Sequence, residues 1–124
     1  MFPQPLTPPI KDLISYKREH GTPLAWLNSV TVLTNTLNMT LQEAADHIGL
    51  LYQSNIDAYN KNKRLIPSFG EKSDRNVEAY LRAMDYWIIG LLEWDFRSKR
   101  YLGDKGEEVK LSHVVPIAVQ VEVR

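Results

Sequence analysis

The chain has 124 residues, with 15 basic and 15 acidic side chains in formal balance and 44% hydrophobic residues. That size supports one domain with a buried core, and the missing positive field argues against general nucleic-acid binding. With no cysteine, disulfides, thiolate chemistry and cysteine-type zinc sites are excluded.

Met1-Phe2-Pro3-Gln4-Pro5 shows no basic region followed by an apolar run, so no secretory signal is expected. The longest apolar stretch, Trp87-Ile88-Ile89-Gly90-Leu91-Leu92, is far too short to span a bilayer. The expectation is a cytoplasmic protein with no membrane contact.

Pro3, Pro5, Pro8 and Pro9 make residues 1–10 an irregular, extended lead-in. From Ile10 the pattern turns helical to about His20, and Gly21 breaks it. Thr22-Pro23 then reads as an N-cap with a first-turn proline. Leu24, Leu27, Val30, Leu33 and Leu37 keep helical spacing and predict a second helix. Thr40 and Glu43 form a capping box that opens a third. Its apolar face holds Leu41, Ala44, Ala45, Ile48, Leu51, Tyr52, Ile56 and Tyr59. It is expected to fade over Asn60 to Arg64 and to stop before Pro67. A fourth helix, capped by Ser73 or Asp74, carries Val77, Tyr80, Leu81, Met84, Trp87, Ile88, Leu91 and Leu92 towards about Arg100. Gly103 and Gly106 are expected to end it. The stretch from Val114 to Val123 alternates weakly and is expected to be a loosely docked tail, not a paired strand. The reading is all-α: about four amphipathic helices over residues 11–115, between the lead-in and a tail at 116–124.

Two short motifs stand out. Residues four apart share a helix face, so Lys11, Ser15 and Glu19 form one stripe and Asp12, Ser15 and Glu19 another. Carboxylate and hydroxyl oxygens are hard ligands suited to Mg²⁺ or Mn²⁺. Arg18 places a cation beside them for a metal-bound anion. The same residues also suit a solvated, charged helix face. The second motif is Trp94 followed six residues later by Arg100-Tyr101. A guanidinium and a phenol there suit phosphate recognition, or else only the carbonyls at a helix end.

Asp12-Leu13-Ile14-Ser15-Tyr16-Lys17-Arg18-Glu19 resembles the second metal motif of class I terpene synthases. Trp94-Asp95-Phe96-Arg97-Ser98-Lys99-Arg100-Tyr101 resembles the closing Arg-Tyr motif of the same family. The intervening Asn28-Ser29-Val30-Thr31-Val32-Leu33 and Leu41-Gln42-Glu43-Ala44 are similar to fungal-type sesquiterpene synthases.

The resemblance spans about residues 12–115 and implies the C-terminal portion of a helical bundle. It implies Mg²⁺-dependent ionisation of a prenyl diphosphate such as farnesyl diphosphate, with cyclisation of the cation. By resemblance, Asp12, Ser15 and Glu19 would hold metal. Arg18, Arg100 and Tyr101 would hold diphosphate, and Trp94 would face the carbocation. Lys11 stands where the family has Asn or Asp, and an ammonium cannot ligate a cation. The aspartate-rich first metal motif is absent, since no Asp-Asp pair occurs. The expectation is therefore a truncated form with little or no activity alone. The alternative is a helical interaction module that associates with another helical chain, and a third is a small Mg²⁺-dependent phosphate binder.

Overall fold

The computed structural model describes residues 8–117. Helix α1 spans Pro8–Glu19, so it starts two residues before Ile10 and shortens the expected lead-in. The reason is positional: first-turn residues need no N–H partner, and a proline there is already set to helical φ. Residues 1–7 of the lead-in and 118–124 of the tail lie outside the described residues. α1 ends at Glu19, and Gly21, φ +82°, lies in the turn that follows.

The expected second helix is two elements. Thr22 caps a 3₁₀ turn over Pro23–Leu27, its Oγ1 accepting from the Leu24 N–H at 3.2 Å. Asn28 then takes an extended conformation and caps α2 (Ser29–Leu37), its Oδ1 accepting from the Val30 N–H at 2.9 Å. A side-chain acceptor at Asn28 thus replaces a continued helical bond.

Helix α3 (Leu41–Arg64) has the expected capping box: Thr40 Oγ1 accepts from Glu43 N–H at 3.2 Å, and Glu43 Oε2 accepts from Thr40 N–H at 2.8 Å. It does not fade at Asn60 but runs to Arg64. Basic Lys61, Lys63 and Arg64 favour the negative end of the helix dipole there, and Lys63 is anchored to Asp85 at 2.7 Å. Helix α4 (Glu71–Arg97) begins at Gly70, φ +97°, and not at Ser73 or Asp74. Asp74 lies inside the first turn and accepts from the Phe69 N–H at 2.7 Å, closing the loop before it.

α4 breaks at Ser98, so the motif residues Arg100 and Tyr101 belong to a separate short helix, α5 (Lys99–Leu102). Gly103, φ +59°, turns the chain through a 3₁₀ segment. Gly106 does not end a helix; it opens α6 (Gly106–Ser112). A Cβ at Gly106 would lie 1.8 Å from the Phe96 carbonyl oxygen, so only glycine lets α6 approach α4 this closely. Lys110 Nζ reaches Glu93 at 2.6 Å across the same contact. Residues 113–117 form no regular element. No strand occurs among the described residues, and none of their helices is long and apolar enough to cross a membrane.

Two small cores meet at α1. Ile14 packs with Tyr101, Leu102 and Val109, joined by Ile10, Leu92 and Phe96. On the other side Val30, Ala44 and Ile48 pack with Leu13 and Tyr16. α1 therefore fixes the α4–α6 region against α2 and α3, which places the first motif between the second motif and the Asn28 turn.

Candidate functional site

An open-sided recess of about 520 Å³ lies between α1, α4 and α5. Lys11 and Asp12 line it from α1, Leu91, Trp94 and Asp95 from α4, and Arg100 and Tyr101 from α5. Two motifs that are more than eighty residues apart thus share one wall. Their direct link is Arg18, whose Nη1 donates to the Arg100 carbonyl at 3.3 Å. The break at Ser98 makes this possible, because it turns Arg100 and Tyr101 off the axis of α4.

Within the second motif, the Trp94 and Tyr101 rings meet edge to face, with centroids 6.2 Å apart. The Arg100 guanidinium lies 5.5 Å from the Tyr101 ring centroid. Tyr101 is buried and anchors α5 in the core, whereas Trp94 is half exposed at the recess. Arg100 is exposed and free to meet a ligand.

The first motif is divided. Glu19 and Asp12 both bond to the Asn28 turn, and Asp12 also lines the recess. Asp12 Oδ2 accepts from the Ser29 N–H at 2.9 Å and also pairs with the Ser29 hydroxyl. Asn28 Nδ2 donates to the Asp12 carbonyl at 2.8 Å and to Glu19 Oε2 at 3.0 Å. Ser15 is buried between the two faces and makes a long contact of 3.4 Å to the Asp12 carbonyl. Lys11 and Arg18, seven residues apart, share the remaining face, towards α5.

As placed, the Asp12 and Glu19 carboxylates each have one oxygen already hydrogen-bonded within the chain. The Asp12 carboxylate caps α2, the amide of Asn28 holds Glu19, and the Lys11 ammonium stands in the recess. No cluster of three or more His, Asp or Glu side chains suited to a metal occurs among the described residues.

Three residues matter more than sequence reasoning suggested. Asn28 and Ser29 hold the acidic side chains of α1. An Asn-Ser pair inside a helical pattern was the available signal, since both prefer caps. The third is Asp95, only 2% exposed at the base of the recess. Burial pushes its carboxyl above the ordinary range, opposed by the Lys11 charge. It makes no hydrogen bond or ion pair within range among the described residues. A carboxylate inside the run Leu91-Leu92-Glu93-Trp94-Asp95-Phe96 is visible in the sequence, but its burial depends on α1.

The chain is similar to several fungal enzymes. It is 37% identical over 90 residues to alpha-muurolene synthase of Coprinopsis cinerea, covering 73% of this chain and 21% of that one. It is 30% identical over 106 residues to sesquiterpene synthase 6 of Postia placenta, covering 86% and 31%. A further relative from Coprinopsis cinerea, 37% identical over 106 residues and covering 84% and 30%, is named a linoleate 10R-lipoxygenase. The chain thus spans less than a third of the length of these curated relatives. No family model matches it. With its all-α architecture and the sesquiterpene synthases it matches over most of its length, the chain belongs to the terpene synthase family, as a C-terminal portion.

Proposed function

We propose that the recess is the diphosphate-facing part of a prenyl diphosphate pocket, in a sesquiterpene synthase of which this chain supplies the C-terminal portion. One observation carries this reading: Trp94, Arg100 and Tyr101 meet Lys11 and Asp12 in a single recess, with Arg18 tied to the Arg100 carbonyl.

The substrate class is an allylic diphosphate such as farnesyl diphosphate. The carbon–oxygen bond breaks, and its electron pair leaves with the diphosphate. Arg100 donates to the departing oxygens, and charge-assisted bonds of this kind gain strength as water is excluded. Tyr101 is the phenol next to that group. Trp94 offers a ring face towards which an allylic cation is drawn. Neither a nucleic acid nor a membrane belongs to this reading, and the cytoplasm suits it. A bound Mg²⁺ or Mn²⁺ would take water and diphosphate oxygens beside Asp12, Ser15 and Glu19, and would supply further positive charge to the leaving group.

The chain spans 21% of the Coprinopsis alpha-muurolene synthase, which leaves most of a pocket to be supplied by other residues. Alone it is expected to convert little or no farnesyl diphosphate. The test is complementation. The chain is co-expressed with the part of that synthase lying outside the aligned segment, and consumption of farnesyl diphosphate is followed. Consumption that disappears with Arg100→Ala supports the reading. A stable, co-purifying pair that consumes none overturns it.

A second reading rests on a separate observation. Tyr80, Trp87 and Trp94 lie seven residues apart on α4 and are 66%, 67% and 49% exposed. Seven residues are nearly two helical turns, so the three rings form one stripe. Such a stripe suits association with another helical chain, with or without catalysis. Co-purification without turnover in the same experiment favours this reading.

A further inference from the structure

The recess is lined by two cations, Lys11 and Arg100, and by two acids, Asp12 and Asp95. The acids are not equivalent to free charges. Asp12 already accepts two hydrogen bonds from Ser29, which draw its oxygens towards α2. Asp95 is buried, has no bonded partner among the described residues, and has Lys11 as its opposing charge. The cations face the opening: both side chains are exposed, and Arg18 pins the backbone of Arg100 on the same side. An anion in the recess therefore has an exposed ammonium and an exposed guanidinium to meet.

We propose that Lys11 takes the place of a bound cation, so that Lys11 and Arg100 hold a diphosphate-class anion without a divalent metal. This deepens the diphosphate reading above and rests on it. The geometry gives each partner a role. Arg100 presents a planar fork to two oxygens, and Lys11 adds a compact point charge with three donors from the facing helix. Two acidic oxygens that a metal could use, Glu19 Oε2 and Asp12 Oδ2, are bonded to Asn28 and Ser29 instead. Asp95 then opposes the anion when ionised and donates to it when protonated.

The test is calorimetry of the 124-residue chain with inorganic pyrophosphate, in excess EDTA and separately in Mg²⁺. Wild-type protein is expected to bind in EDTA. Lys11→Gln is expected to weaken that binding about tenfold or more, as befits loss of one charge-assisted partner. Lys61→Gln, on the distant end of α3, is expected to leave it unchanged. Asp95→Asn is expected to tighten it. Lys11→Gln also removes the charge opposing buried Asp95, so its melting temperature is measured alongside to verify that the variant is folded.

Binding that needs Mg²⁺ and ignores Lys11→Gln overturns this proposal and leaves the diphosphate reading standing. Equal weakening by Lys61→Gln marks diffuse charge attraction and also overturns it. Absence of binding in both media overturns the diphosphate reading itself.

Discussion

The carboxylate of Asp12 meets the first peptide N–H of α2, that of Ser29, at 2.9 Å. An acidic side chain one helix away thus does the capping work that a local residue would normally share with Asn28. The bond settles two things at once. It ties α1 to the start of α2, and it commits one oxygen of the carboxylate to the fold. A residue that reads as a metal ligand by spacing is, in the fold, also a structural acceptor through Oδ2.

Replacing Asp12 by Ala is therefore expected to destabilise the chain by about 0.5–2 kcal/mol, the range for a lost helix cap. Urea unfolding in EDTA reads the change without any metal contribution. Asp12→Asn keeps an acceptor oxygen and should lose less. A midpoint unchanged by Asp12→Ala would show that the cap carries no weight.

Gly106 gives a sharper case. A Cβ there would collide with the Phe96 carbonyl, which is backbone and cannot swing aside. Gly106→Ala should cost about 1–3 kcal/mol, as overpacking does, despite alanine's better helix propensity. The measurable contrast is with Gly49 in α3, where a Cβ meets nothing within 4 Å. Gly49→Ala should stabilise, so opposite signs in the two melts are expected.

These two positions also show what was legible from the residues alone. Local chemistry announced itself well. The capping box of Thr40 and Glu43 and the Thr22 cap follow from neighbours within four residues. The Asn28 break was missed because the apolar spacing of Leu24, Leu27, Val30 and Leu33 runs through it. Only the capture of its amide by Asp12 and Glu19, both from α1, makes the extended conformation pay. The break at Ser98 and the start of α6 at Gly106 depend on contact between α4 and α6, which no local window contains. For the same reason Arg100, Tyr101 and Trp94 were legible as a motif, while the burial of Asp95 and the position of Lys11 were not.

The pair of long helices should respond to pH through one cluster. Hydrogen bonds from Lys63 and then Tyr59 hold the Asp85 carboxyl below its ordinary range. Its folded pKa is thus lower than its unfolded one. The contribution is present above the ordinary carboxylate range and is lost as pH falls through the folded value. Tyr59 has the opposite sign. Burial and the bond to Asp85 push its phenol up to about 12. That contribution is complete below the ordinary phenol value of about 10 and is lost as pH rises through about 12. Melting temperature against pH should lose part of its acid limb in Asp85→Asn and part of its alkaline limb in Tyr59→Phe. Unchanged limbs in both variants would refute the assignment.

In the core between α2 and α3, Ile48 is buried against Val30 and Ala44. Ile48→Ala removes three carbons from a cluster that Leu13, Tyr16, Leu33 and Met39 pack against. A loss of about 2–5 kcal/mol is expected by denaturant titration. Leu50, exposed on the same helix, is the control: Leu50→Ala should change stability by about 0.5 kcal/mol or less.

The aromatic stripe on α4 makes the last prediction, because exposure and helical spacing together separate two kinds of tryptophan. Trp87 is 67% exposed and has no role in either core, so Trp87→Gln should leave the melting temperature of the isolated chain unchanged while raising its solubility. Trp94 touches the buried Tyr101 edge to face, so Trp94→Gln should lower stability by about 0.5–1.5 kcal/mol. If another helical segment covers the stripe, adding it should blue-shift the tryptophan emission, and Trp87→Gln should weaken that association. An unshifted spectrum with a co-purifying partner would place the contact elsewhere on the chain.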